Sequence, residues 1–243
     1  MSALSSAAEV IAGSDGRWLI VADHSSAAVP PGIDLKVAPA VMGTHIAVDL
    51  GVEALSRTLA ADLGCPAVLA TVSRLVADFN RPLDNEGMVP ASSDGVTIAG
   101  NVGLSAEAHE ARRAWHRDYH RRLAAQVAQQ RPRLLLSLHS FTPALATRPD
   151  EARPWPVGIL WNEDARGAEP AIAALRARGL LVGENQPYSG RELNFSMDVH
   201  GEANGIPYTG FEVRQDELAD DAGIARWSAH LAAAARAVLD ALP

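Results

Sequence analysis

Leu134-Leu135-Leu136-Ser137-Leu138-His139-Ser140 is the stretch on which the reading of this chain turns. Its leucines, set after Pro132 and Arg133, predict a buried strand of an α/β sheet. The apolar run stops at His139 and Ser140, and Phe141, Thr142 and Pro143 turn the chain away. Catalytic and ligand groups of open α/β sheets gather just outside the carboxyl ends of strands. His139 therefore stands where chemistry is usually done. A histidine that only caps the strand through a backbone carbonyl is the plainer alternative.

A second stretch is built the same way. Trp18 to Ala22, WLIVA, runs into Asp23-His24-Ser25-Ser26, and Val29-Pro30-Pro31-Gly32 makes a turn. Two strand-end histidines point to one shared site. Zinc is the usual ion for histidine and carboxylate ligands, and a catalytic zinc takes three protein ligands plus a water. The set then needs a carboxylate.

Composition bounds the answer. The 243 residues, 48% hydrophobic and 21% charged, predict a folded core and one domain spanning 1–243. A net charge of −8 argues against nucleic acid or an anionic membrane as the main partner. Cys65 is alone and cannot form an internal disulfide, which fits a reducing, cytoplasmic setting. The opening MSALSSAAEVIAGS lacks the basic region and long apolar run of a signal peptide. No apolar stretch nears the ~18 residues of a membrane span.

In chain order, Thr44 to Leu63 reads as a helix that Gly64 caps, with His45 and Asp49 four apart on one face. That pair is either solvated or turned so that Asp49 points at the His24 loop. Pro66 to Val72 is the next strand, ending at Ser73-Arg74. Asp78-Phe79-Asn80-Arg81 then crowds charge into a short span, either as ion pairs around Asp78 or as a grip on a carboxylate. The long Leu83 to Gly103 stretch reads as a functional or mobile loop. Ser105 caps a polar helix that runs to Gln130 and carries His116 and His120 at metal-pair spacing. The arginines around that pair would repel a cation, so a solvated face is expected there.

Val157 to Trp161 reads as a strand, Glu169 to Arg178 as a helix, and Leu180 to Val182 as a short strand. Gln186 to Gly205, holding Arg191 and His200, reads as polar and irregular. Pro207 to Val213 is the last strand, with Glu212 and then Arg214, and Ile224 to Leu242 a closing helix. Strands alternating with helices predict a three-layer α/β fold, its sheet mainly parallel or mixed, with helices on both faces. The chain has no G-x-S-x-G elbow, Walker loop or G-x-G-x-x-G. Metal-activated water is then the leading chemistry.

VADHSS around His24, HIAVDLG around Asp49, SRLVADFNRP from Ser73, SLHSFTP from Ser137 and FEVRQDEL from Phe211 resemble, in order and spacing, the N-formylglutamate amidohydrolase family. The likeness spans nearly the whole chain and extends to zinc-dependent exopeptidases and aspartoacylases. It implies a fold of that kind and a metal site of two histidines and a carboxylate. The His-x-x-Glu motif of the exopeptidases is missing, because Ala27 stands three after His24. The expected ligands are therefore His24, His139 and Asp49, with His45 as the alternative third. By the same resemblance Glu212 is the general base, Arg74 polarises the scissile carbonyl, and Asn80 and Arg81 hold a substrate carboxylate. His200 and Arg214 join the substrate-binding candidates, and Arg191 is a weaker one.

The chemistry is consistent with those roles. Amide hydrolysis at neutral pH needs a strong nucleophile, a proton acceptor and a cation for the oxyanion. The expected reaction is N-formyl-L-glutamate plus water to formate and L-glutamate. The alternatives are a zinc amidase of the same build acting on another N-acyl amino acid or peptide, and a metal-free binding protein of the same fold.

Overall fold

The computed structural model describes residues 5–243. Its central sheet has seven strands in the order β1-β3-β2-β6-β9-β7-β8. These are β1 (Ala8–Ile11), β2 (Trp18–Ala22), β3 (Ala67–Ala70), β6 (Leu134–Phe141), β7 (Val157–Leu160), β8 (Val182–Glu184) and β9 (Tyr208–Arg214). Strands β3, β2, β6 and β9 run parallel to one another. Strand β1 is antiparallel to β3, and β7, which pairs parallel with β8, is antiparallel to β9. The sheet is therefore mixed, with a parallel centre.

All eight residues of β6 are buried, as expected of a strand covered on both faces. Side chains alternate across it. Leu134, Leu136 and Leu138 enter a core with α1 (Val52–Leu63), α3 (Ala168–Ala177) and α5 (Asp221–Ala241). Leu135 enters a second core with α2 (Ala106–Gln130) and α4 (Phe195–His200). Each fully buried leucine contributes roughly 1.5–3 kcal/mol. Three layers result, with helices on both faces.

The connections place the site. From β2 the chain crosses by α1 to β3 on one side, and from β3 it crosses by α2 to β6 on the other. The carboxyl ends of β2 and β6 thus flank the point where strand order reverses, where open α/β sheets form a crevice. His24 follows β2 and His139 lies near the end of β6.

Three expectations change. The helix expected from Thr44 begins only at Val52, because Gly51 sits at φ 80°, outside helical geometry. His45 and Asp49 therefore do not share a helix face. Within 83–103 a hairpin forms, β4 (Ser92–Ser93) and β5 (Val96–Thr97), turned by Asp94 and Gly95 at φ 41° and 80°. Within 186–205 the short helix α4 forms.

Candidate active site

Asp49 is drawn to the strand ends by its backbone, since its N–H donates to the His24 carbonyl at 2.9 Å. Its carboxylate then lies between both histidines. Oδ2 is 2.9 Å from His139 Nδ1 and 3.5 Å from His24 Nδ1, and Oδ1 accepts from Arg74 at 3.1 Å. His24, Asp49 and His139 are all buried, and each offers one ligand atom within 4.8 Å of the others.

A second ring of carboxylates stands behind the histidines. His24 Nε2 is 2.8 Å from Asp78 Oδ1, and His139 Nε2 is 3.9 Å from Asp23 Oδ2. Asp23 in turn accepts a hydrogen bond from the Tyr119 hydroxyl. Metal-bound histidines commonly give their other ring nitrogen to a carboxylate in this way. His24 Nδ1 is buried with no hydrogen-bond partner. A divalent cation held by the two Nδ1 atoms and Asp49 fits this donor set, two imidazoles and a carboxylate being suited to zinc.

The site's charges are tightly coupled. Burial acts to neutralise Asp49, but the two histidines and Arg74 hold its carboxyl far below the usual carboxylate range. Burial also acts against the charged His139 imidazole, yet its bond to Asp49 and the nearness of Glu212 push it up to about 9. Arg74 spans Asp49 and Asp78, at 3.1 and 3.0 Å, and its side chain stays partly exposed.

Glu212 is the register partner of His139 on the neighbouring parallel strand. On β9, Phe211 and Val213 face the α1 side, so alternation turns Glu212 to the face that His139 occupies. Its Oε2 is buried without a partner, and burial pushes the carboxyl up to about 7. A group so placed can take a proton near neutral pH.

These groups open into a cleft of about 300 Å³. Asn80 and Arg81 line it. The Asn80 side-chain oxygen accepts the Ser196 N–H at 3.0 Å, which leaves its amide nitrogen free to donate. Arg148, Thr147 and Tyr188 line the cleft as well. The hairpin clips the loop that carries the first two. Asp94 accepts from the Ala146 N–H, the Thr147 N–H and the Thr147 hydroxyl. Burial works against its charge, but the Thr147 and Ala146 amides hold the carboxyl at about 2.

Residues 16–219 match the family model of N-formylglutamate amidohydrolase. The chain belongs to the N-formylglutamate amidohydrolase family. It is accordingly a hydrolase of linear amide bonds. Among solved structures, a gene product of Agrobacterium tumefaciens shares 26% identity at a TM-score of 0.89, over 97% of this chain and 96% of that one. An N-formylglutamate amidohydrolase from Ralstonia eutropha shares the fold at 19% identity and a TM-score of 0.71, over 97% of this chain and 98% of that one. Comparison with curated proteins finds no match.

Against the family pattern, His24, Asp49, His139, Glu212, Arg74, Asn80 and Arg81 all line the cleft. His45 lines its rim and spends Nε2 on Asp94 at 3.0 Å, apart from the cluster. His200 and Arg214 do not line it, which removes the structural ground for giving them a substrate role. His200 stacks on His120 behind the 78–81 turn, and Arg214 pairs with Asp216 at 2.7 Å. Sequence reasoning missed Asp23, Tyr188, Asp94 and Arg148. The position of Asp23 beside His24 was a usable signal for one of them; for Tyr188 there was none.

Among the described residues no helix is long and apolar enough to cross a membrane.

Proposed function

We propose that this family member hydrolyses N-formyl-L-glutamate to formate and L-glutamate with a divalent metal, zinc in the first place, held by His24, Asp49 and His139. The observation that carries the reading is the buried convergence of these three side chains, with Glu212 in register beside His139. When bound, zinc supplies a Lewis acid and lowers the pKa of its water to about 7.

The chain's own groups do the rest. Glu212 takes a proton from the attacking water at Oε2 and returns it to the leaving amine nitrogen. Its raised pKa suits both transfers. Arg74, anchored on Asp49 and Asp78, turns its remaining donors to the formyl oxygen as negative charge develops there. Asn80 and Arg81 hold the α-carboxylate. Two cleft arginines lack a buried carboxylate partner among the described residues. The Arg81 guanidinium has no ion pair, and Arg148 meets only the exposed Glu151, at 3.3 Å. Two such cations match a dianion, which favours an acidic amino acid over a neutral one.

The test is a panel of N-formyl and N-acetyl amino acids scored for released amine. N-formyl-L-glutamate should be turned over with the highest kcat/KM. Preference for a neutral side chain would assign the enzyme to another N-acyl amino acid, and release from none would favour a non-catalytic binding protein.

A further inference from the structure

The family's motif segment Asp78 to Arg81 is held from behind by a cluster of histidines outside the cleft. His116 and His120 lie four apart on one face of α2 and were expected to be solvated. The structure reverses that. His116 is buried and His120 largely so, and both turn inward onto main-chain carbonyls. His116 Nε2 donates to the Arg81 carbonyl at 2.8 Å. His120 Nε2 donates to the Phe79 carbonyl at 2.8 Å.

The tautomers follow from these bonds. With Nε2–H given to Phe79, Nδ1 of a neutral His120 can only accept, and His200 Nε2 donates to it at 2.9 Å. The three rings pack as a unit. His116 and His120 have centroids 4.4 Å apart, and His120 and His200 lie nearly parallel at 5.2 Å. Phe79 stacks on Tyr119 at 4.4 Å, so the turn is gripped by side chain as well as by main chain. Both Nε2 atoms and the Nδ1 of His120 are committed to these bonds, which leaves only the Nδ1 of His116 without a partner.

We propose that His116 and His120, with His200 behind them, are positioning residues. They fix the 78–81 turn by its carbonyls and so set how Asn80 and Arg81 meet the substrate. The inference rests on the reading of Arg81 as the residue that holds the substrate's carboxylate. A displacement of about 1 Å in such a group can cost up to about 100-fold in rate, so the hold on the turn has kinetic weight.

The experiment compares two amides at position 116. His116→Gln places its side-chain nitrogen where Nε2 was and keeps the bond to Arg81. His116→Asn places it where Nδ1 was and falls short. Both are polar and near in size, so the difference between them reports the bond to the Arg81 carbonyl rather than the loss of the imidazole. With N-formyl-L-glutamate, His116→Asn should raise KM about tenfold with little change in kcat, and His116→Gln should restore KM toward wild type. Amide hydrogen exchange across 78–82 should quicken in the Asn variant and not in the Gln variant. In an Arg81→Ala background His116→Asn should raise KM by much less than it does in wild type, because most of its effect passes through Arg81.

Additive effects in that background, or Gln and Asn variants that behave alike, would overturn the proposal. Arg81→Ala with wild-type KM would instead remove the reading of Arg81. The hold on the turn would then be decided by exchange alone, and unchanged exchange across 78–82 in His116→Asn would end it.

Discussion

The Nδ1 of His139 lies 2.9 Å from Oδ2 of Asp49, although 90 residues separate them in the chain. The same oxygen is 3.5 Å from Nδ1 of His24. Two imidazoles thus converge on one buried carboxylate, each with a further carboxylate at its far nitrogen. A structural ion pair needs only one of those bonds. The outer carboxylates suit a metal centre better, since metal-bound histidines commonly give their far ring nitrogen to such a group.

His139→Ala and Asp49→Ala should each lose stoichiometric zinc, measured by elemental analysis after gel filtration. His45→Ala should retain it, because His45 is tied to Asp94 at 3.0 Å and stands apart from the cluster. A zinc-replete Asp49→Ala variant beside a zinc-free His45→Ala would exchange their roles.

Glu212→Gln keeps the side chain's size and removes its proton acceptor. As general base, its loss should cost on the order of 10²–10⁴ in kcat with zinc still bound. A role confined to ordering β9 would leave kcat near wild type and lower Tm instead.

Much of this site was legible because its two histidines end apolar strands. LLLSLHS and WLIVADHSS each announce a buried strand and a histidine at its carboxyl end, and the crevice rule then brings them together. Asp49 was harder. Its neighbours look helical, but Gly51 delays the helix, and the backbone bond to His24 that swings Asp49 inward has no signature in sequence. Helix α2 misled for a different reason. Its buried stripe is Arg112, His116, Tyr119 and Leu123, mostly polar residues whose partners are backbone carbonyls and side chains far along the chain. Hydrophobic periodicity cannot find a face of that kind. The β4–β5 hairpin has two-residue strands, too short for any alternation, and only its Asp-Gly turn hinted at it.

Arg81→Lys keeps the charge and loses the planar, two-bond grip on a carboxylate. KM for N-formyl-L-glutamate should rise about tenfold or more, with kcat changed far less. Steady-state kinetics decides this, and an unchanged KM would assign Arg81 to the scaffold.

The histidine cluster also makes stability depend on pH. Burial, with His116 alongside, lowers the His120 imidazole to about 4, and burial lowers His116 and His200 as well. An unfolded imidazole titrates near 6.5. Between about pH 6.5 and 4 the unfolded chain therefore binds protons that the folded chain does not, and stability falls as pH is lowered. Thermal melts from pH 7 to 5 should show a shallower loss of Tm in His120→Gln than in wild type. Equal slopes would take His120 out of this account.

The central claim is hydrolysis of N-formyl-L-glutamate by a metal held on His24, Asp49 and His139. One measurement meets it most directly: L-glutamate released from N-formyl-L-glutamate by the protein as purified, after stripping with a chelator, and after adding back zinc. The account predicts turnover that disappears on stripping and returns with one equivalent of zinc. Undiminished turnover by the metal-free protein would contradict it.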